Sequence, residues 1–266
     1  MKVITWNVNK ASLSRNGVWE MLEREDADIV LLQEVTRIPD QVLRHYNSHA
    51  RFPKFFGGHN ARFQTAVLSR WRMSTTPFLT SELDGVNKLH GARYGWIHEC
   101  AVYDDEGKRY QVVSVHSPAF AVPRDAEEID DSDFRAIKLK NNPKLWFTEI
   151  LWSLLKNASL GDETNWIVGG DFNSSVNFDR PHDRGNREII DRLNALGLTD
   201  CLSHHNGHSV PTFQHSSKSA EHQLDYLYVN KPLLNRLTSA RVPGREEVFD
   251  THPRVSDHLP IVCEFD

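Results

Sequence analysis

Short apolar runs recur from one end of this chain to the other. The residue that closes each run is repeatedly one that can hold a metal or a phosphate. Val3 to Trp6 stops at Asn7, and Ile29-Val30-Leu31-Leu32-Gln33 stops at Glu34. Val112 to Val115 stops at His116. Trp166-Ile167-Val168-Gly169-Gly170 runs into Asp171-Phe172-Asn173. Asp225 follows Gln223-Leu224 inside an apolar stretch, and Ser256-Asp257-His258-Leu259-Pro260 precedes the last run. Runs of this length, rich in Val and Ile and bounded by Gly, Asn, Asp or Ser, read as strands. The pattern restricts the chain to a many-stranded α/β or α+β fold.

Further strands are expected at Thr65 to Leu68 and Trp96 to Val102, with the last from Pro260 to Phe265. Helices fit between them. Val18, Trp19 and Leu22 mark a short amphipathic one. Leu145, Trp146, Ile150, Leu151, Leu154 and Leu155 mark a longer one, with apolar spacings of three and four. Ile189, Ile190, Leu193 and Leu196 mark a third, with Gly197 placed as its stop. Neither an internal repeat nor a linker rich in Pro, Gly or Ser breaks the 266 residues, so a single domain over 1–266 is expected. The one compositional break is Ser117 to Lys140. It carries Pro118, Pro123 and the acids Asp125, Glu127, Glu128, Asp130, Asp131 and Asp133, and reads as a long exposed loop.

The net charge of -5 gives no overall basic excess, so nucleic-acid binding would have to come from a local patch. Three isolated cysteines, Cys100, Cys201 and Cys263, argue against a disulfide framework or a structural zinc site. The sequence has neither a signal-peptide pattern nor an apolar run long enough to span a bilayer, and a cytoplasmic location is expected.

Each strand-end residue alone has an ordinary explanation. Asn7 could cap a turn, Glu34 could be solvated, and His116 could be structural. Asp225 is harder to dismiss, because its neighbours Leu224, Leu227 and Val229 imply burial and a buried carboxylate needs a partner. The weight lies in the joint occurrence and the order. Trp6-Asn7, Leu32-Gln33-Glu34, Val115-His116-Ser117, Gly170-Asp171-Phe172-Asn173, Leu224-Asp225-Tyr226 and Ser256-Asp257-His258-Leu259-Pro260 together resemble the motif series of the endonuclease/exonuclease/phosphatase superfamily, the DNase I-like enzymes. Thr65 to Arg70 is similar to a family strand near the site's rim.

That resemblance implies a four-layer α/β sandwich, with two mixed β-sheets packed face to face and helices outside. It implies a Mg²⁺ cofactor, with Mn²⁺ as the alternative, held by Glu34 with Asn7 and Asp257. Asp171 and Asn173 would position or activate the attacking water, Asp225 would orient His258, and His116 would stabilise the phosphate or help the leaving group. The acid and base roles of Asp171, His116 and His258 stay open. The chemistry agrees with this. Glu34, Asp171, Asp225 and Asp257 would crowd one cleft, and two such charges 4 Å apart repel by about 4 kcal/mol at an effective dielectric of 20. A hard cation with oxygen ligands relieves that repulsion.

The resemblance also narrows the branch. The Gly-Trp-Arg-Leu-Asp stretch of AP endonucleases is replaced by Glu221-His222-Gln223-Leu224-Asp225, and His116 stands where that branch usually has Tyr, which disfavours it. The Trp-Cys-Asp-Arg segment of the 5-phosphatases is absent. A nuclease acting on DNA or RNA, with no obligate protein partner, is therefore the expected activity. A phosphatase or phospholipase on a small phosphoester or lipid headgroup is the alternative, and a non-catalytic binding protein is a third reading. For substrate contacts the candidates are Arg70, Arg93 and Phe213. Arg51, Lys54, Arg62 and Arg72, interleaved with Phe52, Phe55, Phe56, Phe63 and Trp71, suit either a stacking and phosphate-binding surface or a core beneath a loop.

Overall fold

A computed structural model describes residues 1–158, 160–161, 163–215 and 222–266. The strands are β1 (Lys2–Ala11), β2 (Ile29–Val35), β3 (Asn47–Arg51), β4 (Gln64–Ser69), β5 (Arg72–Ser74), β6 (Ile97–Tyr103), β7 (Arg109–His116), β8 (Asn165–Asp171), β9 (Leu198–Asp200), β10 (Asp225–Asn230), β11 (Leu237–Arg241) and β12 (Ile261–Phe265). They form two six-stranded sheets, in the orders β11-β12-β1-β2-β4-β3 and β5-β6-β7-β8-β10-β9. Each sheet holds one parallel pair at its centre, β1 with β2 and β7 with β8, among antiparallel neighbours. Both sheets are therefore mixed.

Alternation along the strands builds the layers. Val3, Ile29, Leu31 and Val67 from the first sheet meet Val102, Val112, Ile167 and Leu227 from the second in one buried cluster. The intervening residues Ile4, Trp6, Val30 and Leu32 face the other way. They pack with Val18, Trp19 and Leu22 of the helix Asn16–Glu25. On the far side, Val113, Val115 and Val168 pack with Leu89 of the helix Asp84–Ala92 and with Ile150, Leu151 and Leu154 of the helix Phe147–Asn157. The order is helix, sheet, sheet, helix, which is the expected four-layer α/β sandwich.

The acidic stretch after Ser117 is not a free loop. Asp130 accepts from the backbone N–H groups of Ser132 and Asp133 and caps the helix Asp131–Ile137. Phe134 and Ile137 of that helix are buried in the outer core. Asp133 also accepts from the Gly85 N–H at 2.8 Å. The acids work as caps and tethers, and the apolar residues between them anchor the segment.

Candidate active site

The β-sheet register assembles half of the site. Val115 pairs with Gly170 and His116 with Asp171 across β7 and β8, while Asp225 pairs with Asp171 across β10 and β8. His116, Asp171 and Asp225 thus stand in one row across three neighbouring strands. They share parity with Val112, Ile167 and Leu227, which face the other sheet. Gly170 permits this close pairing. Its φ is +148°, and a Cβ there would come within 1.9 Å of the Val115 carbonyl oxygen.

The first sheet supplies the other half. Asn7 and Gln33 lie side by side in register on β1 and β2. The Asn7 amide donates to Asp171 Oδ2 at 3.0 Å and so bridges the two sheets directly. Beneath it, Gln33 Nε2 donates to Ser114 Oγ at 3.1 Å, again from sheet to sheet. Glu34 breaks the pattern. Its parity along β2 would send it to the helix side with Leu32, but its φ is +56° and the register with β4 shifts between Leu32 and Val35. The irregular backbone re-aims the carboxylate, whose Oε1 lies 3.5 Å from His116 Nε2 of the other sheet. Burial pushes the Glu34 carboxyl up. The hydrogen bond and charge of His116, helped by Lys10 and Asn7, outweigh this and hold it below the usual range.

His258 arrives from outside the strands. The Trp6 indole N–H donates to the His258 carbonyl at 2.9 Å, and Ser256 Oγ donates to the Asn7 carbonyl at 2.7 Å. These bonds stitch the segment onto the middle of β1. His258 Nδ1 lies 2.8 Å from Asp225 Oδ2, and its Nε2 lies 3.8 Å from Asp171 Oδ2. Thr212 Oγ also donates to Asp225 Oδ2, at 2.7 Å. Burial alone would depress the imidazole, but the charges of Asp225 and Asp171 prevail and raise it to about 10. Asp171 is raised as well, but here burial is the cause. Burial, opposed by His258 and reinforced by Asp225, raises its carboxyl to about 6. Asn173, in the left-handed region at φ +47°, donates its side-chain amide to Asp171 Oδ2 at 3.1 Å and its backbone N–H to Oδ1 at 2.9 Å.

Metal-competent atoms of Asp171, Asp225 and His258 lie within 4.8 Å of one another. By distance the three could hold an ion, but a ligating imidazole must be deprotonated, and these carboxylates keep His258 charged. The oxygen set around Glu34 suits a hard cation better. Glu34 Oε1 lies 3.5 Å from His116 Nε2 and Oε2 lies 3.9 Å from Lys10 Nζ, contacts long enough to leave oxygen lone pairs for an ion. Asn7 lies beside it, and Asp257, partly exposed, adjoins His258 in sequence.

Phe213, expected at the substrate, lies against the site. It bridges His258 by backbone pairing, and the two rings are 4.8 Å apart. Arg70 is not brought there. It follows the end of β4 that pairs with Ile29, the opposite end of β2 from Glu34, and it is ion-paired with Asp26. Arg93 is also committed elsewhere. It pairs with Glu128, donates to the Phe55 carbonyl and lies over the Phe56 ring. Phe55, Phe56 and Phe63 pack on the outer core, and Phe63 and Trp96 flank His116 at 5.3 Å each. These rings mainly wall the site rather than offer an open stacking surface. Lys10, Thr212 and Ser256 belong to the site without having been expected in it. Ser256 opens the motif Ser256-Asp257-His258-Leu259-Pro260 and Thr212 directly precedes the candidate Phe213, whereas Lys10 carried no signal. Glu221 lies outside the described residues.

A model of the Endonuclease/Exonuclease/phosphatase family matches residues 4–258. A DNA-(apurinic or apyrimidinic site) endonuclease 2 from Xenopus laevis is 37% identical over 93 residues, which are 32% of this chain and 17% of that protein. Among solved structures, an AP endonuclease from Archaeoglobus fulgidus superposes with a TM-score of 0.71 at 19% identity, covering 100% of this chain and 99% of that one. The catalytic domain of Xenopus laevis APE2 gives 0.66 at 19% identity, with 100% and 91% covered. A 3'-5' exonuclease from Neisseria meningitidis gives 0.64 at 19%, with 100% of both covered. At these identities the structures speak for the fold.

Proposed function

We propose, from the premise that the chain belongs to the Endonuclease/Exonuclease/phosphatase family, that it hydrolyses phosphodiester bonds in nucleic acid with the help of Mg²⁺ or Mn²⁺. The observation that carries this reading is the array Asp225–His258–Asp171, with contacts of 2.8 and 3.8 Å, set against Asn7 and Glu34 of the facing sheet. It presents a buried base, a buried cation and a carboxylate with lone pairs left for an ion to one small space.

The gap between Asp171, raised to about 6, and His258, raised to about 10, supports a division of the roles that the sequence left open. Asp171, with a carboxyl near neutrality, accepts the proton of the attacking water as the water oxygen bonds to phosphorus. Asn173 and Asn7 hold that carboxylate in place through their amides. His258, kept charged by Asp225, donates through Nε2 to a phosphoryl oxygen as negative charge grows there. His116, held by Glu34 and walled by Phe63 and Trp96, supplies a donor for the oxygen that leaves as its bond to phosphorus breaks. Glu34, with Asn7 and Asp257, would hold the divalent ion, which when bound adds positive charge beside the phosphoryl oxygens.

The free, buried cysteines suit a reducing cytoplasm. Among the described residues no helix is long and apolar enough to cross a membrane. The assay is hydrolysis, with and without EDTA, of labelled single-stranded DNA, duplex DNA, abasic duplex, RNA, a phosphoinositide and sphingomyelin. Metal-dependent cleavage of a polynucleotide is expected. A headgroup product with every polynucleotide intact would transfer the chain to the phosphatase or phospholipase reading. The AP endonuclease relative gives the abasic duplex its place in the panel.

A further inference from the structure

Beside Asp171 a cleft of ≈ 310 Å³ opens between the segment after His116 and the segment after Asn173. Its floor is Phe172 and Ile189, and half-buried Trp146 and Phe178 stand in its walls. Ser117 and Asn173 belong to this cleft and to the site at once, since Asn173 Nδ2 donates both to the Ser117 carbonyl at 2.8 Å and to Asp171. A group one sugar away from a phosphate at Asp171 therefore faces an apolar, aromatic-walled space. Its size is at the small end for ligand pockets, which fits one ring system rather than a helix or a duplex.

The rim points to an anionic ligand. Arg184 lines the cleft, is exposed, and has no side-chain hydrogen bond or ion pair among the described residues. The acids around it are already engaged. Asp179 accepts from the backbone N–H groups of Arg184, Asn186 and Arg187. Asp183 accepts from Gly185 and Asn141. Glu188 pairs with Arg192. A flat ring joined to a phosphate satisfies the aromatic walls and the unengaged guanidinium together.

We propose that this cleft receives the nucleobase of the nucleotide whose phosphate lies at Asp171, an inference that rests on the nucleic-acid reading above. A base seated there has left its stack, so single strands and frayed ends are the preferred substrates over intact duplex. Removing one aromatic wall costs on the order of ten-fold in affinity for the base.

The test measures binding apart from turnover. The protein is titrated with a nucleoside 5′-monophosphate and, separately, with 2-deoxyribose 5-phosphate, in metal-free buffer, by calorimetry. The monophosphate is expected to bind about ten-fold more tightly. Trp146→Ala should erase that advantage. Ala119→Trp, which fills the cleft from an exposed wall position, should erase it without touching the core. Equal binding of the two phosphates by the wild-type protein would overturn the proposal. In parallel, single strands carrying a base or an abasic sugar at the nucleotide beside the cut are compared, and the base-bearing strand is expected to be cleaved about ten-fold faster. Preference for the abasic strand would also overturn it. Failure to cleave any polynucleotide would count against the nuclease reading, while the titration still decides the cleft.

Discussion

Replacing Asp225 with Asn isolates the charge that keeps His258 protonated. The two side chains are 2.8 Å apart and buried. At that distance and an effective dielectric of 20, their attraction is about 6 kcal/mol, or roughly four decades of proton affinity. This accounts for the rise of His258 to about 10 against the opposing effect of burial. Asn has nearly the same shape and can still bond to Nδ1, so the fold should survive with a loss of about 1–3 kcal/mol. Without the charge, Asp171 is left as the main group opposing burial, and His258 should titrate well below its wild-type range, toward that of an ordinary histidine. At neutral pH the variant then lacks the cationic donor, and turnover should fall on the order of 10²–10⁴-fold. The sign of the pH effect follows. The wild-type cation persists through neutral pH, whereas the variant regains it only on acidification. The loss should therefore be smaller near pH 5.5 than at pH 8. NMR titration of the His258 ring reads the protonation directly, and single-turnover cleavage reads the consequence. If His258 in the Asn variant is still charged at pH 8, Asp225 is not what holds the proton.

Three further outcomes are expected. Glu34→Gln should raise the Mg²⁺ concentration needed for activity by about 10–100-fold while leaving the melting temperature nearly unchanged; full wild-type turnover in EDTA would remove the metal from the scheme. Gly170→Ala should cost about 3–5 kcal/mol in urea unfolding, because the added Cβ meets the Val115 carbonyl in a backbone conformation that suits glycine; an unchanged midpoint would contradict the pairing of β7 with β8. Glu149 is fully buried in the helix Phe147–Asn157, where burial, against hydrogen bonds from Thr148 and Trp146, raises its carboxyl to about 7. A raised carboxyl favours folding most when protonated in both states, so its contribution declines as pH rises from about 4.5 to about 7 and is constant above that. Glu149→Gln should flatten that part of the stability curve, a difference of up to about 3 kcal/mol by chemical denaturation at several pH values; identical pH dependence in the two proteins would refute it.

Most of the site was legible because it follows alternation along strands. Asn7, His116, Asp171 and Asp225 each end or begin an apolar run, and the register sets three of them side by side. Edge strands were not legible. Asn47–Arg51 reads Asn-Ser-His-Ala-Arg, with no apolar run, because little of it is buried. The helix Asp131–Ile137 was hidden by its acids, since two anchors, Phe134 and Ile137, are enough to seat it. Thr212 orients Asp225 through a hydroxyl that looks like any other until the fold brings the two together. Arg70 shows a different limit. A strand pattern gives a face and an order, but it does not tell which end of an antiparallel neighbour meets the site. The cation at that end of β4 is Arg62, exposed and next to Phe63, which flanks His116.

The site lies at one end of the contact between two sheets for a physical reason. Through most of their length the inner faces are apolar, with Val3, Leu31, Val112, Ile167 and Leu227 excluding water. Towards the strand ends the same alternating positions become Gln33 and Ser114, then Asn7, Asp171, His116 and Asp225. Burying Asp171 and Asp225 so near each other is unfavourable in itself. It is tolerated because His258 lies between them, because amides bond both Asp171 oxygens and the Thr212 hydroxyl bonds Asp225 Oδ2, and because the apolar layer below holds the sheets together. The bonds between the sheets, Asn7 to Asp171 and Gln33 to Ser114, then hold the candidate site together as well as the fold. A shift of one sheet against the other by a fraction of a residue would keep much of the apolar contact yet separate the Asn7 amide from Asp171. It would also move Glu34 away from His116. The geometry of the candidate site is thus tied to the sheet-to-sheet register more tightly than stability is, since hydrophobic burial is non-directional and these hydrogen bonds are not.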